Sequence, residues 1–190
     1  LLNTVLASLS EGIAPSTNSY ESIATVTVGG GGSSSISFTS IPATYTHLQI
    51  RAIIRGTASA TNIDSIIRFN NDSTIGNYYY YHQLYGDGSS ATSNNANSDT
   101  TATLYSFAPA ANATASVFGG SVLDILDYSN TNKYKTTRSL HGYDNNGNGF
   151  IILRSGLWMQ TSAINRIDLT PSSNNFAQYS QFALYGIKGA

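Results

Sequence analysis

From Tyr20 onward the apolar residues recur at every second position, in short runs broken by Asn, Gly, Asp and Ser. That period of two is the signature of half-buried β-strands and leaves little room for helix. Between Tyr45 and Arg55, Leu48, Ile50, Ala52 and Ile54 are apolar, while His47, Gln49, Arg51 and Arg55 are polar. One face of such a strand is core and the other is wet. Ala24, Val26 and Val28 alternate with Thr25 and Thr27; after the glycines at 29–32, Ile36 and Phe38 resume the alternation, which reads as a hairpin. Further strands are predicted at 64–70, 77–85, 101–107, 117–128, 133–143, 149–160, 164–170 and 179–187. Asn-Asn-Asp, Gly-Asp-Gly, Ser-Asn-Asn and Pro-Ser-Ser-Asn-Asn supply turns between them, and 86–99 reads as an exposed loop. The expected fold is all-β: an antiparallel β-sandwich, a jelly roll of about ten strands, occupying 20–190 as one domain.

The 190-residue chain is long enough to bury a core without disulfides or metals. Only 10% of its residues are charged, the net charge is −1, and about a third are Ser, Thr and Asn. Such a balance cannot supply the basic stripe that counterion release requires, so nucleic acid is not an expected partner. The absence of Cys excludes a thiol nucleophile and thiolate-ligated metals. Hydrophobic residues make up 41% and thirteen Tyr are present, which argues against disorder. Ser and Thr are expected on the outward positions of strands and Asn in the turns.

Residues 1–19 differ from the rest. Leu2, Val5, Leu6, Leu9 and Ile13 follow a helical spacing, too short to span a bilayer and without a basic leader region. Ending in Pro15-Ser16-Thr17-Asn18-Ser19, this segment reads as an assembly arm that docks on a neighbour, or as a frayed terminus. No insertion into a membrane is expected.

Chemistry-bearing patterns are sparse. Asp144-Asn145-Asn146-Gly147-Asn148-Gly149 opens like a calcium loop through Asp144, Asn146 and Asn148. Its twelfth position is Ser155, where a bidentate carboxylate is needed, so a hairpin turn built on Asn-Gly is the competing reading and no metal is expected. Glycoside hydrolysis needs two carboxylates across a cleft, but Glu11 and Glu21 precede the core strands, and Asp124 and Asp127 fall on opposite faces of one strand. His47, His82 and His141 each fall in a predicted strand without metal-type spacing. A Ser-His-Asp triad is defined by geometry rather than order, so an esterase or depolymerase stays a third alternative. No cofactor is implied.

The densest aromatic run is Tyr78-Tyr79-Tyr80-Tyr81-His82, followed by Tyr85 and the Gly86-Asp87-Gly88 turn. On a strand Tyr78, Tyr80 and His82 share one face. With Tyr85 and Asp87 they form a candidate glycan site, because rings stack on pyranose faces and polar groups fix the hydroxyls. The competing reading puts one aromatic row in the core and the other in a subunit interface.

Several stretches together resemble structural proteins of tailed bacteriophages, especially marine ones. They are Tyr20-Glu-Ser-Ile-Ala-Thr-Val-Thr-Val28, Phe38-Thr-Ser-Ile-Pro-Ala-Thr-Tyr-Thr-His-Leu-Gln-Ile-Arg51, Ile67-Arg-Phe-Asn-Asn-Asp72, Val122-Leu-Asp-Ile-Leu-Asp-Tyr128, Asn132-Lys-Tyr-Lys-Thr-Thr137, Ser155-Gly-Leu-Trp-Met159 and Phe182-Ala-Leu-Tyr-Gly-Ile-Lys188. The resemblance implies a virion component on the particle exterior, of tail-fibre or capsid-decoration type, with no catalytic residues to transfer. Its expected partners are other virion proteins and copies of itself, a trimer being the symmetry anticipated. A carbohydrate-binding module for host surface glycans is the alternative.

Overall fold

The computed structural model describes residues 19–73, 79–99 and 104–189. The predicted arm, with Leu2, Val5, Leu6, Leu9 and Ile13, lies outside the described residues, as does Tyr78. The described residues form twelve strands: β1 (Tyr20–Thr27), β2 (Ile36–Phe38), β3 (His47–Ile54), β4 (Asn62–Phe69), β5 (Tyr79–Gly86), β6 (Ala91–Asp99), β7 (Leu104–Pro109), β8 (Gly119–Leu126), β9 (Lys135–Asp144), β10 (Gly149–Trp158), β11 (Ile167–Pro171) and β12 (Gln181–Ile187). They make an eight-stranded sheet, β1-β12-β3-β8-β9-β10-β5-β6, and a four-stranded sheet, β2-β11-β4-β7.

Setting aside the hairpins β5–β6 and β9–β10 leaves two four-stranded sheets, β1-β12-β3-β8 and β2-β11-β4-β7. Their order, with successive strands changing sheet except from β4 to β7, is that of a jelly roll. Both hairpins add to the open edge at β8 and widen one sheet to eight strands. The molecule is therefore a jelly-roll frame with a four-stranded wing.

In the frame, period-two patterning does what elementary burial predicts. Leu48, Ile50, Ala52 and Ile54 of β3, with Leu123, Ile125, Phe182 and Leu184 beside them, pack against Ile63, Ile67, Phe69, Ile167 and Leu169 of the smaller sheet. Burying each Leu, Ile or Phe among them contributes about 1.5–3 kcal/mol. Phe69 also contacts Trp158 of β10, with ring centroids 5.5 Å apart, and Trp158 stacks on Tyr79 of β5 at 6.2 Å. This aromatic seam fastens the wing to the frame.

Two expectations about local structure need correction. β1 and β2 do not form a hairpin: β1 pairs with β12, and β2 with β11. The glycine turn instead carries the chain from one sheet to the other, so the buried Val28, Ile36 and Phe38 all line the same core. The stretch 86–99 is not a loop, since only 87–90 turns and β6 pairs antiparallel with β5. Residues 91–95 of this edge strand are exposed, so it needs no apolar alternation and gives no periodic signal.

Candidate functional site

The candidate glycan residues separate once β5 is placed. Tyr80 and His82 lie on the outer face of the wing, beside Leu157 and Ser155 of β10 in register. There they border a shallow groove of about 420 Å³, lined also by Thr136, Leu157 and Met159. Tyr85 pairs with the buried Ile152 and so belongs to the opposite face. An odd separation from His82 makes that unavoidable on a regular strand. Asp87 is a turn residue, its Oδ1 accepting the backbone N–H groups of Ser89 and Ser90 at 2.8 Å each. The bonds from Ser90 and Ser89 hold its carboxyl below the usual range. The five-residue cluster is thus reduced, among the described residues, to Tyr80 and His82. Tyr79 is core: its hydroxyl accepts the N–H of Phe69 at 3.2 Å.

The larger feature of the outer face comes from residues that periodicity did not single out. Val122 of β8 lies opposite Leu140 of β9, Leu140 opposite Leu153 of β10, and Leu153 opposite Leu84 of β5. In the next row, Gly120 lies opposite Gly142, and Gly142 opposite Ile151. These five large side chains are between 37% and 62% exposed. They form an apolar ladder across four strands, with a trough of about 550 Å³ over Gly120 and Gly142. The ladder is a contiguous apolar patch on the outer face of the wing.

Beneath the ladder the polarity is reversed. Thr137, Ser139 and His141 of β9 and Arg154 of β10 point inward and are buried. Arg154 donates through Nε to Oε1 of Gln83 at 3.0 Å and lies 4.5 Å over the Tyr81 ring. His141 is 2% exposed with neither ring nitrogen hydrogen-bonded. Burial, aided by the charge of Arg154, drops its pKa from 6.5 to about 3, so the ring is neutral. At the end of β9 the buried Lys135 donates to the carbonyls of Asn130, Lys133 and Thr161 at 2.5, 2.9 and 3.0 Å. Desolvation lowers its pKa. These bonds clip together the connections before β9 and after β10. The expectation of Ser and Thr facing outward fails at Thr137 and Ser139 of β9, while Thr136 and Ser155 are exposed.

The frame's outer face carries a polar network. The Arg51 guanidinium sits between the rings of Tyr20 and Tyr185, 5.7 and 5.6 Å from their centroids. Asp124 accepts from Gln49 Nε2 at 2.7 Å and from Arg138 at 2.9 Å. Asp127 lies just past β8 with a positive φ of 49° rather than within the strand. It pairs with Lys133 at 2.8 Å, and that bond lowers its pKa. The two carboxylates therefore serve different contacts. The Nδ1 of His47 accepts the backbone N–H of Asp127 at 2.9 Å.

The calcium-like segment is a hairpin turn. Asn146 and Gly147 have φ of 58° and 92°, the pair of positive values of a type I′ turn, and the Asn145 N–H donates to the Asn148 carbonyl. Asp144 Oδ1 accepts the Gly147 N–H at 2.9 Å, and strand β10 follows at Gly149. Asp144, Asn146 and Asn148 thus sit in a connection that turns the chain, without the helix that leaves a calcium loop. No group of three or more His, Asp or Glu gathers at metal-binding distance among the described residues. Comparison of the chain with family models, curated proteins and solved structures finds no match.

Proposed function

We propose that this chain is a structural protein of a tailed-phage particle, displayed on its exterior as tail fibre, spike or capsid decoration. It assembles symmetrically with copies of itself and takes part in host attachment, and its role is packing and display rather than chemistry. The observation that carries this reading is the apolar ladder on a jelly roll widened by four strands. It is a broad sheet face suited to cover by another subunit, whereas a catalytic cleft would gather convergent polar groups. The phage assignment comes from the sequence resemblance.

An electron cryomicroscopy map of the particle made by a phage whose genome encodes this chain tests the proposal. The expected result is jelly-roll density on the exterior, with the wing's outer face against a neighbouring subunit. A particle without the domain, or a wing face open to solvent, overturns it.

A second reading is favoured by the groove beside Tyr80 and His82: recognition of host surface glycans, with the Tyr80 ring stacking on a sugar. A Tyr80→Ala variant of unchanged fold is then expected to lose at least tenfold in binding to host envelope polysaccharide. Equal binding, or none by the parent protein, removes this reading.

A further inference from the structure

We infer that the ladder on each copy is covered by residues 2–13 of a neighbouring copy, so that the chain assembles by exchanging arms. This inference rests on the assembly reading above. Val122, Leu140, Leu153 and Leu84 stand directly opposite one another on four adjacent strands, with Ile151 beside them. Four strands span about 15 Å between the outer rungs. Leu2, Val5, Leu6, Leu9 and Ile13 recur at a helical spacing, and twelve residues at that spacing correspond to about 18 Å. The two apolar stripes match in length and chemistry. The arm carries one charged side chain, Glu11, and no rung from Val122 to Leu84 is charged. Over Gly120 and Gly142 the ladder has a trough, where an apolar knob from the arm fits.

Two magnitudes favour a neighbour's arm over the other occupants. Ladder against ladder, the patch offers roughly 300 Å² of sheet face from each copy. A stable interface takes about 800 Å² per partner. Exchange lets each copy both give an arm and receive one, which adds contact at every junction. The chain's own arm is limited by its tether. Tyr20 lies on β1, three strands from β8, and is level in register with His47, four residues before the Arg51 that pairs with Val122. That places the nearest rung about 20 Å from Tyr20. The seven steps from Ile13 to Tyr20 span about 24 Å fully extended, so the chain's own arm meets the nearest rung only with residues 14–19 almost straight. A neighbour's arm has no such constraint.

The chain has no cysteine, so a disulfide can report this contact alone. Full-length Leu9→Cys and Leu140→Cys variants, given different tags, are mixed and oxidised. The expected product is a two-chain species joining the two tags. Gly120→Arg in the Leu140→Cys chain should reduce its yield at least tenfold. A Cβ at Gly120 meets nothing within 4 Å, so this variant fills the trough without disturbing the fold. A cross-link found only within a doubly substituted chain, or absent altogether, overturns the inference. Sedimentation separates this failure from that of the assembly reading. An oligomer that survives Leu6→Glu with Leu9→Glu but dissociates with Leu140→Asp would overturn arm exchange and leave the wing as an interface. A parent chain that stays monomeric would overturn both.

Discussion

The frame and the wing use the same β-pleat with opposite polarity. In β3 of the frame the inward side chains are Leu48, Ile50, Ala52 and Ile54, and the outer face carries the network of Arg51, Gln49 and Asp124. In β9 and β10 of the wing the buried row includes Ser139, His141 and Arg154, while Leu140, Ile151 and Leu153 face outward. The frame therefore has its hydrophobic reason to fold inside the chain. The wing has part of that reason on its outside, and it is held to the frame by the aromatic seam, the Lys135 clip and shared backbone pairing. A strand pair built this way gains its full burial only when its outer face is covered. That difference is the physical basis of the proposal that the wing serves assembly while the frame supplies stability.

Trp158→Ala should have the largest effect on this contrast. Losing the seam with Phe69 and Tyr79 is expected to cost about 4 kcal/mol in chemical unfolding. Hydrogen exchange should rise first in β5 and β10, while β3, β4 and β11 keep their protection. Uniform loss of protection through both sheets would show that frame and wing are one cooperative unit.

A smaller, pH-dependent effect is expected at His141. Its folded-state pKa of about 3 lies below the ordinary 6.5. As pH falls from 6.5 towards 3, the unfolded chain takes up a proton that the folded chain refuses. Stability contributed by the neutral ring is complete above 6.5 and declines across that window by about 1.4 kcal/mol per pH unit. His141→Leu should remove this part of the slope, as seen by comparing denaturant midpoints at pH 7 and pH 4.5 with those of the parent. Carboxylates such as Asp127 titrate in both proteins and cancel in the difference. Parallel curves for the two proteins would show that the buried polar row of the wing is open to protons.

Much of the frame is legible along the chain because its alternation and its burial agree. The even positions of β3 are apolar and buried, and Asn146-Gly147 turns where Asn-Gly chemistry requires positive φ. Legibility fails where alternation has no unique phase. The run Ile151-Ile152-Leu153-Arg154 offers apolar residues to both faces. Nothing local says that Ile152 and Arg154 are buried while Ile151 and Leu153 are exposed. The tyrosine run was visible and alternation alone separates Tyr80 from Tyr85, but which of the two faces outward depended on register with β10.

The sequence by itself determined a strand-rich, charge-poor, cysteine-free domain with turns at its Asn and Gly clusters, because pleat period and turn dihedrals are properties of adjacent residues. Only the tertiary structure decided that β1 and β2 belong to different sheets, that two hairpins extend one sheet past the jelly roll, and that Val122, Leu140, Leu153 and Leu84 meet in a row. Those residues are up to 69 positions apart in the chain, from Leu84 to Leu153. Their meeting is set by strand order and register, which are fixed by which apolar faces can be buried together.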